Sequence, residues 1–458
     1  MSREGLAAAR QKMTDAGVAS PAIEVFANFY GQLESGATGL IREDTISPLT
    51  QVPHLDEVEV SDEEARDALG KLVIIKLNGG LGTSMGLDKA KTLLEVRDGL
   101  TFLDLLAKQV LSARERHGAR LPLLFMTSFR TDADTIEFLR KYDRLPVPGL
   151  PLTFQQNQEP KLRADDLTPV EWPADPSLEW CPPGHGDLYT ALEGSGILDR
   201  LLDEGFRYAC VSNGDNLGAS PDPRLAGWFA KSGAPYAAEV CLRTVNDKKG
   251  GHLAVRKSDG QLILRDTAQT APEEMDFFTD EHRHPFFHTN NLWFDLEVLR
   301  ATLRERNSVL GLPLIRNEKT VDPTDPTSIP VIQVESAMGA AIEVFEGATA
   351  ICVGRDRFQP VKTTNELLLL RSDVYSLDDE GHLVAEGDKS PEISLDGRYY
   401  KKIDDFAARF PVAPSLKDAT RLAVQGDWTF AGRVTVVGDV TLTDEGAPRV
   451  LEDGAELK

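Results

Sequence analysis

Cysteine is scarce in this sequence and falls into no pattern. Cys181, Cys210, Cys241 and Cys352 are four in 458 residues, lie far apart and show no CxxC spacing. That excludes a zinc ribbon and a disulfide framework and leaves isolated thiols. Long hydrophobic runs are missing too: none approaches the roughly 18–20 residues that would span a bilayer. The opening Met1-Ser2-Arg3-Glu4 is charged and has no signal-type apolar core behind it. A cytoplasmic protein with no membrane partner is expected. Positive charge is in deficit as well, with 50 Lys and Arg against 73 Asp and Glu, a formal charge of −23. Phosphate backbones need basic surfaces, so nucleic acid is excluded as the main partner. The same negative shell repels free nucleotides. Any phosphate site must therefore be a local pocket of loop amides, a few lysines and a metal.

What is present fits a chain of two or three packed units with 41% hydrophobic residues. Residues 1–55 read as a helical segment. Ser20-Pro21 has the form of an N-cap followed by proline at the first helical position, and Ile23, Phe26, Tyr30 and Leu33 then share one face. The main body is expected over 56–375. Leu72 to Leu77, Leu121 to Met126 and Tyr208 to Val211 read as buried parallel strands. Between the first two lies a helix carrying Phe102, Leu103, Leu106, Val110 and Ala113 on one side and closed by Gly118. This strand–loop–helix–strand order is an α/β pattern with its active edge at the strand C-termini. Over 376–458 helical periodicity gives way to turns and short strands. Gly426, Gly432 and Gly438 each open a similar hexad, Gly-Asp-Trp428-Thr-Phe430, Gly-Arg-Val434-Thr-Val436 and Gly-Asp-Val440-Thr-Leu442. A six-residue period with inward β-branched or aromatic side chains is a β-helix signature; an antiparallel meander is the alternative.

The stretch Leu77-Asn78-Gly79-Gly80-Leu81-Gly82-Thr83-Ser84-Met85-Gly86 directly follows the first strand. Its four glycines let the backbone approach a ligand and turn N–H groups toward phosphate oxygens. Thr83 and Ser84 offer hydroxyl donors, and Lys89 and Lys91 follow with positive charge. A Walker loop would end in Gly-Lys-Ser/Thr, but Leu87-Asp88 stands there. A dinucleotide fingerprint would read GxGxxG, but Gly80, Gly82 and Gly86 give GxGxxxG. Both familiar phosphate loops are excluded.

Lys76-Leu-Asn-Gly-Gly-Leu-Gly-Thr-Ser-Met-Gly86, running on to Lys91 and Leu100-Thr-Phe-Leu-Asp104, closely resembles the eukaryotic-type UTP–glucose-1-phosphate uridylyltransferases. Thr83-Ser84-Met85 favours these over the related UDP-N-acetylhexosamine pyrophosphorylases. The resemblance recurs, in the family's order, at Trp180-Cys-Pro-Pro-Gly-His-Gly-Asp-Leu-Tyr189 and Val211-Ser-Asn-Gly-Asp-Asn-Leu-Gly218. It continues at Lys249-Gly-Gly251, Thr289-Asn-Asn-Leu-Trp293 and Arg357-Phe-Gln-Pro-Val-Lys-Thr-Thr364. It implies a Rossmann-like α/β fold of the nucleotide-diphospho-sugar transferase (GT-A-like) kind, a mixed sheet flanked by helices with a C-terminal β-helix. It also implies a Mg²⁺-dependent reaction that makes UDP-glucose and diphosphate from UTP and α-D-glucose 1-phosphate.

Both substrates of such a reaction are anions, so alignment and charge neutralisation carry most of the catalysis, and no covalent nucleophile is required. The resemblance assigns the metal to Asp215, just beyond the third strand, and phosphate contacts to Lys91 and to Lys362. Lys362 stands between an X-Pro turn and a helix start at Thr363 or Thr364; Arg357 is a weaker candidate. Taken over the same way, Leu77, Asn78, Gly79, Gly80, Met126, Gln156 and Gly184 meet the nucleotide, Gln156 at the uracil. Met126 reads equally as core. His185 stands near the α-phosphate on a loop stiffened by Pro182-Pro183, Asn213 touches the sugar nucleotide, and Gly251, Asp266, His288 and Asn290 fall at the hexose. Four departures stand out. Gly214 replaces an isoleucine and should loosen its loop. Asp88-Lys89-Ala90-Lys91 replaces Lys-Gly-Pro-Lys and implies a more mobile segment. Asp266 and His288 replace Glu and Asn, which puts strict glucose specificity in question. A broader UDP-sugar pyrophosphorylase and a catalytically silent nucleotide-sugar binder are the alternatives, and a homo-oligomer through the C-terminal unit is a further expectation.

Overall fold

The computed structural model describes residues 3–244, 247, 250–387 and 390–458. Helices α1 (Arg3–Asp15) and α2 (Ser20–Glu34) lead the chain. Ala19, not Ser20, occupies the cap position of α2. Ser20 begins the helix and Pro21 falls one place further in, still within the first turn where its missing N–H goes unused. Ile23, Phe26, Tyr30 and Leu33 are all buried against the body of the protein, each contributing about 1.5–3 kcal/mol relative to exposure.

An edge strand β1 (Ile46–Pro48) precedes β2 (Leu72–Asn78), followed by α3 (Phe102–His117). Thr101 and Asp104 close a reciprocal capping box at the start of α3, and Gly118 ends it in the left-handed conformation, φ 62°. The next strand, β3, is Leu123–Thr127. It starts two residues later than the apolar run suggests because Leu121 has φ 35°, outside the extended region. Then come β4 (Thr153–Gln155), α4 (Leu188–Gly194), β5 (Tyr208–Asn213), β6 (Tyr236–Leu242), β7 (His252–Arg256), β8 (Leu262–Arg265), β9 (Phe286–Asp295), β10 (Thr349–Cys352) and α5 (Thr364–Arg371).

The ten strands form one mixed sheet in the order β1-β7-β9-β5-β2-β3-β4, with β6 between β9 and β10 and β8 beside β7. The run β5-β2-β3-β4 is parallel, whereas β9 lies antiparallel to β5, β6 and β7. Along β2, Val73 and Ile75 face the side covered by α2 and α4, while Leu72 and Ile74 face α3. Burial on both faces is what an uninterrupted apolar strand demands. Four strand C-termini consequently open on one edge, where ligands of open α/β sheets collect.

The C-terminal hexads build parallel sheets. Glu392–Leu395, Ser415–Val424, Thr435–Leu442 and Glu456–Leu457 pair in parallel, as do Trp428–Phe430 and Arg449–Leu451. An antiparallel meander is thereby excluded. Successive hexads do not stack on one another: Ser415 lies beside Thr435, and Thr435 beside Glu456. Six residues are too few for a parallel crossover, so Gly438 sits inside the Thr435–Leu442 strand. Phe430, Val434, Val436 and Val440 are buried and join the cluster that contains Leu103 and Leu106 of α3. Among the described residues no helix is long and apolar enough to cross a membrane.

Candidate active site

The loop leaving β2 passes close against the Gln156 side chain at Gly79. A Cβ on Gly79 would stand 2.8 Å from the Gln156 amide nitrogen. The Asn78 side chain is spent on structure: it donates to Thr135 Oγ1 at 2.9 Å and accepts from Thr92 Oγ1 at 2.6 Å. Only its backbone is left to meet a ligand. Beyond Gly80 the chain makes a flap closed at its base by a Leu81–Ala90 bridge and by the Lys91 N–H on Gly80 O. Thr83, Ser84 and Lys89 are exposed on that flap and do not line the cleft, so the hydroxyl donors expected there are absent from it. Ala90 is fully buried. The flap delivers Lys91 into the cleft.

Lys91 Nζ donates to Asp215 Oδ2 at 2.6 Å and also to the Val361 carbonyl. Asp215 sits on the turn that leaves β5. There the Gly214 N–H bonds the Leu77 carbonyl, and a Cβ on Gly214 would lie 2.8 Å from both that oxygen and Thr92 Cγ2. Gly214 thus draws the turn tight against β2 rather than loosening it. Asn216 then ties this turn to the segment that carries Lys362. Its Oδ1 accepts from the Gln359 N–H at 2.8 Å, and it bridges Pro360. Thr363 caps α5 in a reciprocal box with Glu366, which fixes the exposed Lys362 at the corner between turn and helix. Lys91, Asp215 and the 359–362 segment are therefore one connected unit.

Two adjoining chambers share His185 and Asn213. The first, of about 950 Å³, is lined by Leu77, Asn78, Gly79, Gly80, Lys91, Met126, Gln156, Gly184 and Asp215. The second, of about 860 Å³, is lined by Gly251, Asp266, His288, Asn290 and Lys362, with Phe287 and Phe358 in edge-to-face contact on its wall. All thirteen other residues assigned by resemblance to the site thus converge, with Met126 buried at the floor. Lys249 lies outside the described residues.

The second chamber is shaped by a bulge in β9. Ala238 pairs with Leu292 and Val240 with His288, so residues 289–291 face Glu239 alone. Asn290 takes the left-handed conformation, φ 65°, and donates to Asn213 Oδ1 at 3.1 Å. Glu239, wholly buried, fastens the bulge: its carboxylate accepts from Asn291 Nδ2, Trp293 Nε1 and Nε and Nη2 of Arg357 at 2.7–3.1 Å. Arg357 is committed to this buried pair and does not reach the cleft. Glu239 gave no sequence signal, lying in an apolar strand without a motif.

Both histidines are neutral. His185 Nδ1 accepts the Met338 N–H at 2.9 Å, which leaves the proton on Nε2, and burial lowers its pKa to about 4. His288 Nδ1 accepts the Asn290 N–H at 3.1 Å; burial, with His185 close by, lowers its pKa to about 3. His288 Nε2 is buried without a protein partner among the described residues. Asp266 rests on Gly251, where a Cβ would come 2.3 Å from its Oδ1. Burial raises its pKa, and Lys362 opposes the rise.

Residues 23–437 match the family model described as UTP–glucose-1-phosphate uridylyltransferase. The chain belongs to the UTP–glucose-1-phosphate uridylyltransferase family. The uridylyltransferase of Solanum tuberosum is 37% identical over 94% of this chain and 90% of its own length. That of Saccharomyces cerevisiae is 39% identical over 85% and 78%. A mutant UDP-glucose pyrophosphorylase from Leishmania major, crystallised in complex with UDP-glucose, superposes with a TM-score of 0.93 at 42% identity, covering 100% of this chain and 98% of that one. The Trypanosoma brucei structure described as a UDP-glucose phosphorylase gives 0.91 at 42% identity, with 99% and 98% covered. Membership of this family places a nucleotidyltransferase on the mixed α/β sheet described above.

Proposed function

We propose that this protein joins UTP and α-D-glucose 1-phosphate into UDP-glucose and diphosphate. The observation that carries the reading is one cleft, in a chain of this family, where the Lys91–Asp215 pair and the Lys362 corner are fastened to each other and open on two adjoining chambers. Backbone groups at Leu77, Asn78, Gly79 and Gly80, the Gln156 amide and Gly184 hold the nucleotide, with Met126 beneath. An oxygen of the sugar phosphate attacks the UTP α-phosphorus in line. The new P–O bond forms as the bond to the β-phosphate breaks, and diphosphate leaves. Lys91 and Lys362 neutralise charge as it shifts between oxygens. His185, neutral with its proton on Nε2, donates a hydrogen bond at the junction of the chambers without adding charge. Asn213, Gly251, Asp266, His288 and Asn290 hold the hexose.

Mg²⁺ takes oxygen ligands, commonly one or two carboxylates with phosphate and water completing the shell. Asp215 fits: it is the one carboxylate lining the nucleotide chamber, and its Oδ1 has no protein partner among the described residues. Those residues contain no cluster of three or more His, Cys, Asp or Glu suited to caging an ion. The fit is to a metal that arrives with a triphosphate. Bound there, it would neutralise and align phosphate oxygens.

The all-parallel pairing after Glu392 supports a left-handed β-helix-like unit over 376–458, beside a helical unit 1–55 and a catalytic unit 56–375, and offers an open edge for a homo-oligomer. The charge of −23 and the lack of a membrane-spanning helix among the described residues fit a cytoplasmic setting. The test is diphosphate release from UTP with a panel of sugar 1-phosphates, with ATP and TTP as controls. Turnover with glucose 1-phosphate well above all others supports the reading; comparable turnover with several sugars would replace it with a broad UDP-sugar pyrophosphorylase, and binding of UDP-glucose without any turnover would sink it.

A further inference from the structure

Asp187 is a buried carboxylate that this chemistry does not use. It follows the cleft loop Pro182–Gly186 and is 5% exposed. Its Oδ2 accepts the backbone N–H of Asn157 at 2.6 Å, and its two oxygens accept the Asn157 side-chain amide at 2.9 and 3.1 Å. Asn157 makes no other side-chain hydrogen bond among the described residues, and it directly follows Gln156, which lines the nucleotide chamber and is pressed by Gly79. One carboxylate therefore fastens two walls of that chamber, the loop with Gly184 and His185 and the loop with Gln156.

Asp187 stands at the N-cap of α4, where the helix N-terminus favours a carboxylate, but its side chain makes no capping hydrogen bond there. No cation pairs with Asp187 among the described residues, and a buried, unpaired carboxylate is costly to keep. Its other side borders a small enclosed cavity lined by Phe29, Tyr189, Leu312 and Ser336. Its nearest ionisable company is acidic. Glu159 is pushed up by burial and then by Asp187, and Glu335 by burial. Lys319 faces Glu335, and Lys161 faces the Cys181 thiol beside Glu159. His185, two residues back, is committed to Met338.

We propose that Asp187, acting through Asn157, is the positioning residue that sets Gln156 for the base of the nucleotide. The inference rests on the uridylyltransferase reading above. An ionised carboxylate can accept from both Asn157 donors, whereas a protonated one turns a hydroxyl toward an N–H and loses part of the clamp. Burial raises the Asp187 pKa to about 7, so the clamp slackens as the pH falls through neutrality. UTP affinity falls with it, while turnover at saturating UTP is spared. The terminal phosphate of UTP titrates in the same region, so the diagnostic quantity is the difference between wild type and variant.

The experiment follows the KM for UTP, the KM for glucose 1-phosphate and kcat between about pH 6 and about pH 8, with calorimetric UTP binding alongside. In Asp187→Asn the UTP KM at the upper pH should rise about tenfold. The other two constants should stay within about twofold, and the excess pH dependence of the wild type should vanish. Exchanging the pair, Asp187→Asn with Asn157→Asp, should bring UTP affinity back toward wild type. An unchanged UTP KM in folded Asp187→Asn overturns the proposal. So does a uniform loss of all three constants that the exchange does not rescue. If Asp187→Asn does not fold, Asn157→Ala, which removes the side-chain half of the clamp, should raise the UTP KM alone, and an unchanged UTP KM in it overturns the proposal. A wild type that binds UTP but never turns over sinks the catalytic reading alone, and the clamp is then judged on the calorimetric affinities.

Discussion

At the scale of single residues, the cleft works through charges fixed by their neighbours. Lys91 is held between Asp215 and the Val361 carbonyl, so its ammonium is already placed before any anion arrives. Lys91→Ala and Lys362→Ala should each lower kcat by roughly 10²–10³-fold, the range for losing one preorganised electrostatic contact, with circular dichroism unchanged. A fall confined to KM would mean that the lysines only hold substrate. The two cleft histidines give an independent signature. Their folded pKa values, about 4 for His185 and about 3 for His288, lie below the unfolded value of 6.5. Between those limits the unfolded chain binds more protons, so their contribution is fully present above pH 6.5 and is lost as the pH falls from there. Melting temperatures of His288→Gln should decline less than wild type over that interval. A parallel decline in both would mean that His288 titrates normally.

At the scale of elements, the site depends on two irregularities that regular secondary structure would forbid. The first is Gly184, at φ 78°, where an added Cβ would stand 2.6 Å from the Ser336 carbonyl oxygen. Gly184→Ala should cost about 1–3 kcal/mol in urea unfolding and raise the UTP KM, because His185 and the Asp187 clamp follow directly on that backbone. The second is the β9 bulge. Glu239→Gln leaves the Arg357 guanidinium buried and unpaired, a change that costs about 3–5 kcal/mol. Urea unfolding should show that loss together with poorer sugar-phosphate binding, since Asn290 rides on the bulge. Full stability in the variant would remove Glu239 from the account of the site.

The sequence shows the supports of these elements unevenly. The apolar face of α3, the glycine closing it and the parallel apolar strands are local patterns, and each was readable in order along the chain. The orientation of Asn78, the outward turn of Thr83 and Ser84, the tight seat of Gly214 and the pairing of Glu239 with Arg357 were not. Each depends on an atom from a segment distant in the chain or on the path of a flap, and neither leaves a periodicity behind.

For the whole molecule, the C-terminal strands are built into the catalytic body. Tyr400, Phe406, Phe410 and Phe430 share a buried cluster with α3 and α5. Thr364, two residues after Lys362, donates to the Tyr400 carbonyl at 2.7 Å, and Lys402 lies along Gly86 at the tip of the glycine flap. Removing residues 376–458 should therefore expose a contiguous apolar face. The truncated chain should aggregate in size-exclusion chromatography; a soluble, fully active truncation would show that the two parts fold separately.

By itself the sequence determined the strand–loop–helix–strand core with its three parallel strands, the glycine loop that is neither a Walker nor a dinucleotide loop, the family and the residue types its chemistry needs. These follow from local backbone preference and from spacing, which a linear chain displays directly. Only the tertiary structure decided which of those side chains face the cleft, which are consumed in holding it open, and that Asp187 and Glu239 stand behind it. Hydrogen bonds and buried charges are satisfied across the fold: Lys91 alone meets Asp215, 124 positions away, and Val361, 270 positions away. Such partners are chosen by proximity in space, which the sequence does not display.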